Sequence, residues 1–106
     1  MAKEGTPVVR GGYLHLAGER PIPLGSARWF SWLETAYLFS YHSPCGRRMT
    51  LRQEKRRHRS YWYAYLKKER RLYNAYAGRS AALTPERLAA LLEQLWALGQ
   101  WQKEKG

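Results

Sequence analysis

The spacing of apolar residues changes period several times along this chain, and each change predicts an element. Between Val8 and Leu24 the pattern is short and punctuated. Tyr13-Leu14-His15-Leu16 follows Gly11-Gly12, and Ala17-Gly18-Glu19-Arg20 turns into Pro21-Ile22-Pro23-Leu24. This predicts two short strands joined by a glycine-containing turn, and the prolines, which cannot donate to a ladder, place the second strand at an edge. Ser26 suits the N-cap of a short helix over 26–35, in which Trp29, Trp32 and Leu33 share one face. Three such large side chains are expected to anchor a core, with ligand stacking as the lesser alternative. Ala36 to His42 alternates with a period of two, Tyr37, Phe39 and Tyr41 on one side, and predicts a strand that ends at the turn Ser43-Pro44-Cys45-Gly46.

The next stretch alternates three times. Met49 and Leu51 oppose Thr50, Arg52, Glu54 and Arg56. Trp62, Ala64 and Leu66 oppose Tyr61, Tyr63, Tyr65 and Lys67. Leu72 and Tyr76 oppose Arg71, Tyr73 and Ala75. Arg57-His58-Arg59-Ser60 and Lys68-Glu69-Arg70 are the predicted connections. Thr84 then caps a helix with Pro85 at its first position, and Leu88, Leu91, Leu92 and Leu95 form an amphipathic stripe that ends near Gly99. The expected architecture is α+β. A small antiparallel sheet with a three-stranded core at 48–77 is backed by the C-terminal helix at 84–98, with the N-terminal hairpin and short helix beside it. The length suits one domain over 1–106, divided into 7–42 (hairpin, short helix and aromatic strand), 47–98 (basic sheet and helix) and a polar tail at 99–106. The leucines are expected to pack on Met49, Leu51, Trp62, Ala64, Leu66, Leu72 and Tyr76. The other face of the sheet is then left open unless the N-terminal half covers it.

Charge turns that open face into a candidate site. The net charge is +11, from 19 Lys and Arg against 8 acids, all of them Glu. Twelve of the bases and only two of the acids fall between Arg47 and Arg79, so nearly all the excess lies on the three-stranded segment. Tyr61, Trp62, Tyr63, Tyr65, Tyr73 and Tyr76 are interleaved with those cations. Cations that meet phosphates, mixed with rings that meet bases or sugars, are the composition of a nucleic-acid surface. On these grounds Arg52 and Arg56 are the candidate base readers, since Arg bonds guanine bidentately. Glu54 either accepts from cytosine, orients these arginines, or serves as a plain intrastrand ion-pair partner. Lys55, Arg57, Arg59, Lys67, Lys68, Arg70 and Arg71 are the candidate phosphate contacts, and Tyr61, Tyr63, Tyr65 and Tyr73 are candidates for stacking or for packing under the N-terminal half.

Other chemistry has little to stand on. There is no Asp for a triad and no Gly-x-Ser-x-Gly elbow. His42 and Cys45 have a ligand-like spacing, but two ligands do not make a zinc site. Cys45 is the sole cysteine, which excludes an internal disulfide framework. The apolar runs are too short for a membrane span, and Met1 to Arg10 lacks the apolar core of a secretory signal. The expectation is a cytoplasmic, non-enzymatic protein without cofactor or metal, whose partner is a nucleic acid rather than a membrane.

The motifs also carry a resemblance. Trp29-Phe30-Ser31-Trp32-Leu33-Glu34, Thr50-Leu51-Arg52-Gln53-Glu54, Tyr61-Trp62-Tyr63-Ala64-Tyr65, Tyr76-Ala77-Gly78-Arg79-Ser80 and Leu83-Thr84-Pro85-Glu86-Arg87-Leu88 occur in that order. The chain from Tyr13 to Leu95 resembles the uncharacterised N-terminal domain of large bacterial LuxR/MalT-like transcriptional regulators, whose pattern runs WFxWL, TxRKE, YWYAYR, YLGRS, LTxxRL. The order of strands and helix is similar to the plant ethylene-response-factor DNA-binding domain and the arm-binding domain of tyrosine recombinases. The resemblance implies regulation of transcription through DNA contact. Leu66 stands where the pattern has Arg, and Tyr73-Asn74-Ala75 where it has a basic run. The regulators' downstream domains do not follow, so the chain is expected to act alone, as a homodimer, or within a larger complex. Three readings stay open: a double-stranded DNA binder, an RNA or single-strand binder, and a protein-interaction subunit that docks on an acidic partner.

Overall fold

The computed structural model describes residues 6–105, with side chains described up to residue 99. The elements, in chain order, are β1 (Val8–Arg10), β2 (Tyr13–His15), β3 (Ile22–Pro23), α1 (Ala27–Thr35), β4 (Leu38–His42), β5 (Arg48–Arg56), β6 (Arg59–Lys68), β7 (Arg71–Gly78) and α2 (Pro85–Lys105), with a single 3-10 turn at Ser80–Ala82. All seven strands belong to one sheet, in the order β3-β2-β1-β4-β5-β6-β7. The sheet is mixed: β1 runs parallel to β4, pairing Val8 with Ser40, and every other neighbour is antiparallel.

This corrects the expected three-stranded sheet backed by one helix. The N-terminal strands do not form a separate hairpin beside the sheet. Val8-Val9-Arg10 is a further strand that docks along β4, and through it β2 and β3 extend the sheet by three strands. Periodicity reports which face of a strand is buried; it does not report which strand lies alongside, and this pairing joins segments about thirty residues apart. The prolines do lie in an edge strand, β3.

One core joins both helices to one side of the sheet. It contains Val9, Leu14, Ile22, Phe39, Met49, Leu51, Trp62, Ala64 and Leu66 from the strands, Trp29 and Leu33 from α1, and Leu88, Leu91, Leu92 and Leu95 from α2. Each fully buried leucine contributes roughly 1.5–3 kcal/mol of hydrophobic transfer. Phe39 sits between two indoles, its ring centroid 5.5 Å from that of Trp29 and 5.3 Å from that of Trp62. The polar edges of both indoles are satisfied. Trp29 Nε1 donates to the Leu83 carbonyl (2.8 Å), which ties α1 to the start of α2, and Trp62 Nε1 donates to the buried Ser80 hydroxyl (3.0 Å). Ser26 accepts from the Trp29 N–H at the start of α1, and Thr84 accepts from the Arg87 N–H at the start of α2.

Two local expectations change. In β7 the phase is reversed: Ala75 and Ala77 are buried and Tyr73 packs against the core, whereas Leu72 and Tyr76 are 62% and 50% exposed. Register sets Ala75 opposite the buried Ala64, which puts Ala75, Ala77 and Tyr73 on the helix side, Tyr73 near Gly99; a shift in the ladder between Trp62 and Tyr63 accompanies the change. The second concerns Gly99, which does not end α2: the helix continues to Lys105. A Cβ there would stand 3.1 Å from the Lys68 side chain, so glycine lets that lysine lie against the helix. The expected polar tail from Gln100 onward falls outside the described side chains.

Candidate nucleic-acid interface

Because both helices share one side of the sheet, no described element covers the other side, N-terminal strands included. Register places its side chains in rows across the strands. One row holds Leu38, Arg52, Tyr63 and Tyr76; the next holds His15, Val8, Ser40, Thr50, Tyr65 and Asn74. A third begins at Tyr13 and Arg10 and includes His42 and Arg48. Glu54 and Tyr61 face each other nearer the β5–β6 turn.

The strands β5 and β6 outrun their neighbours. The β4 ladder stops where Leu38 pairs with Arg52, and the β7 ladder stops where Gly78 pairs with Trp62. The pairs Glu54–Tyr61, Lys55–Ser60 and Arg56–Arg59 therefore have no third strand beside them. They form a two-stranded ribbon closed by Arg57 and His58. Its cations are Lys55, Arg56, Arg57 and Arg59, all exposed, and its single acid is Glu54. The inner side of the ribbon overhangs a cleft lined in part by Glu34, Gln53, Ser60, Arg79 and Ser80.

Glu54 organises the base of this ribbon. Its carboxylate accepts from the Tyr65 hydroxyl (2.8 Å) and from Arg56 (3.3 Å). The Tyr65 bond first, then the Arg56 bond, hold Glu54 below the usual carboxylate range, and the same carboxylate raises the Tyr65 phenol above its usual value. Arg56 in turn lies 5.8 Å from the centre of the Tyr63 ring. Tyr76 meets Tyr63 and Tyr61, with ring centroids 5.6 Å and 5.9 Å away.

The sequence-derived site residues therefore divide. Arg52, Arg56, Tyr61, Tyr63, Tyr65 and Lys67 share the uncovered face, and Arg57 and Arg59 lie at the ribbon end of it. Lys55 is on the ribbon but has the opposite phase. Lys68 lies on the helix side, with its ammonium 4.0 Å from the Trp96 ring centre; Arg47 approaches the same ring at 4.3 Å and pairs with Glu93. Tyr73 and Arg71 have the phase of the buried Ala75, so neither belongs to the open face, and Arg70 sits on the β6–β7 turn. The sequence reading missed Arg10, Tyr13, His42, Arg48 and Tyr76. The alternation Val8-Val9-Arg10 carries the signal for Arg10, but only the β1–β4 pairing brings it to this face.

Among the described residues, no group of three or more His, Cys or acidic side chains could hold a metal ion, and no helix is long and apolar enough to cross a membrane. Cys45 is an exposed thiol, lowered from its usual pKa by the Ser43 hydroxyl beside it and then by Arg47. No protein-family model, no curated protein and no solved structure matches this chain.

Proposed function

We propose that this protein binds nucleic acid through the uncovered sheet face and the β5–β6 ribbon, with double-stranded DNA as the target and control of transcription as the role. The carrying observation is the ribbon: four exposed cations on a two-stranded projection from a face that no helix covers. Seven strands spaced by about 4.8 Å span roughly 29 Å, too wide for a major groove about 12 Å across, whereas two strands fit. The ribbon enters the groove in this reading. Arg56, held by Glu54, reads a base edge, Arg57 and Arg59 contact the flanking phosphates, and Arg52 follows along the face. No catalytic step is assigned to the protein. The likeness of its motifs to N-terminal domains of bacterial transcriptional regulators supports a cytoplasmic setting for this activity.

The tyrosine cluster supports a second reading. Tyr61, Tyr63 and Tyr76 pack together on an open sheet, which is the kind of platform on which unpaired bases stack. Binding of the full chain to duplex DNA, single-stranded DNA and RNA across a salt series separates the two. We expect duplex to bind tightest, with steep weakening as salt rises. Tighter binding to single strands would move the assignment to the tyrosine platform, and no binding to any of the three at low salt would end both.

A further inference from the structure

We propose that Arg10, His42 and Arg48 form a phosphate-binding site at the end of the sheet opposite the ribbon. The three residues come from three adjacent strands. Register pairs His42 of β4 with Arg48 of β5, and the parallel β1–β4 ladder, continued one step, sets Arg10 beside His42. Together they line a shallow depression with Ser43, Gly11 and Gly46 from the neighbouring turns, and among the described residues no carboxylate lines it. Like charges placed side by side on adjacent strands repel, and no acidic side chain among the described residues lining the depression compensates them. His42 registers this: burial, then Arg48, then Arg10 hold its imidazole below the usual value. Two guanidinium forks and an imidazole lining one depression supply the donors that the oxygens of a phosphate group accept from. A bound phosphate would remove the repulsion and favour the imidazolium.

The site stands on its own geometry and rests on the nucleic-acid reading only for the source of its phosphate. Arg48 and Arg56 lie eight residues apart on β5, roughly 27 Å along an extended strand. A backbone phosphate in the depression would therefore be well separated from the one at the ribbon. A free phosphate group is the other source of the same chemistry.

The test uses the full chain and the imidazole resonances of its three histidines. Titration with inorganic phosphate at constant ionic strength should shift His42 saturably and raise its pKa, while His15 and His58 stay put. In Arg48→Gln the saturable shift should weaken by about ten-fold or more, with the amide spectrum otherwise retained. A duplex without terminal phosphates supplies the second arm. If it moves His42 as phosphate does, the source is the nucleic-acid backbone. If the duplex binds at the ribbon and leaves His42 unmoved, the site takes a free phosphate group. If phosphate moves His42 and no nucleic acid binds at all, the site survives and the nucleic-acid reading falls. No saturable His42 shift with phosphate, or the same shift in Arg48→Gln, overturns the proposal.

Discussion

Glu54 is the side chain on which the middle of the open face depends. It is the acid between Arg52 and Arg56, and its carboxylate holds both Arg56 and Tyr65. The sequence showed that a carboxylate and two guanidiniums share a strand face, but not that a tyrosine from the next strand completes the set, because that contact is diagonal across the ladder. Tyr65→Phe should raise the Glu54 pKa toward its ordinary value. The sign of the stability effect follows. A carboxylate whose pKa is depressed on folding contributes stability above its unfolded pKa of about 4.3 and loses it as pH falls through the folded value. Urea unfolding at pH 6 and pH 3 should therefore show a smaller acid-induced loss for Tyr65→Phe than for the parent protein; an equal loss would remove Tyr65 from this role. A second pair of residues separates the two sides of the sheet. Arg52 lies on the open face, and Arg52→Ala should reduce discrimination between duplex sequences. Lys68 stacks on Trp96 behind it, so Lys68→Ala should leave duplex affinity unchanged and cost about 0.5–1 kcal/mol in urea unfolding.

At the scale of elements, the strands and the helix of 48–98 and the places of their connections were legible from period and punctuation, and the conformation of the turns and one strand phase were not. Arg57, Glu69 and Arg70 all adopt positive φ, at 58°, 49° and 70°, where glycine or asparagine is the usual choice. Without a Gly in either segment, sequence reading could only propose connections there. These turns form because the long ladders on both sides of them fix the chain reversal. The conformational cost is about 1 kcal/mol per residue, so Arg57→Gly and Arg70→Gly should each raise stability by about that amount. Arg57→Gly should also weaken duplex binding, because the ribbon tip loses its cation; a variant that gains stability and keeps full affinity would take Arg57 out of the interface. Strand β7 shows the limit of hydrophobic alternation. Leu72 and Tyr76 are the more apolar set, but the register with β6 sets Ala75 opposite the buried Ala64 and so turns Tyr73, Ala75 and Ala77 toward the helix side. The strand ends at Gly78, where φ is +115° and an added Cβ would stand 3.1 Å from Ala82. Gly78→Ala should cost about 1–3 kcal/mol, measured as a lowered urea midpoint with the slope unchanged.

At the scale of the whole molecule, the sheet decides where the positive charge acts. The concentration of charge between Arg47 and Arg79 was visible in the sequence; its division between two sides of a seven-stranded sheet was not, since that depends on the β1–β4 pairing and on the phase of β7. Arg47 is engaged by Glu93 and Trp96, and Arg87 donates to the carbonyls of Ala77 and Tyr76. These cations hold the helix layer to the sheet. Arg10, Arg48, Arg52, Arg56, Arg57, Arg59 and Lys67 remain for a polyanion. If five to seven of them each neutralise one duplex phosphate, log K should fall with log salt at a slope of about −4.5 to −6.3. Removing one contacting cation should make the slope shallower by about one, so Arg57→Ala should change it, as should Arg48→Ala if the phosphate in its depression belongs to the duplex. Arg47→Ala and Arg87→Gln should lower stability and leave the slope alone, because their charges face the helix layer. Equal slope changes for Arg47→Ala and Arg57→Ala would mean that the duplex contacts both sides of the sheet, and the assignment of the uncovered face as the interface would fail.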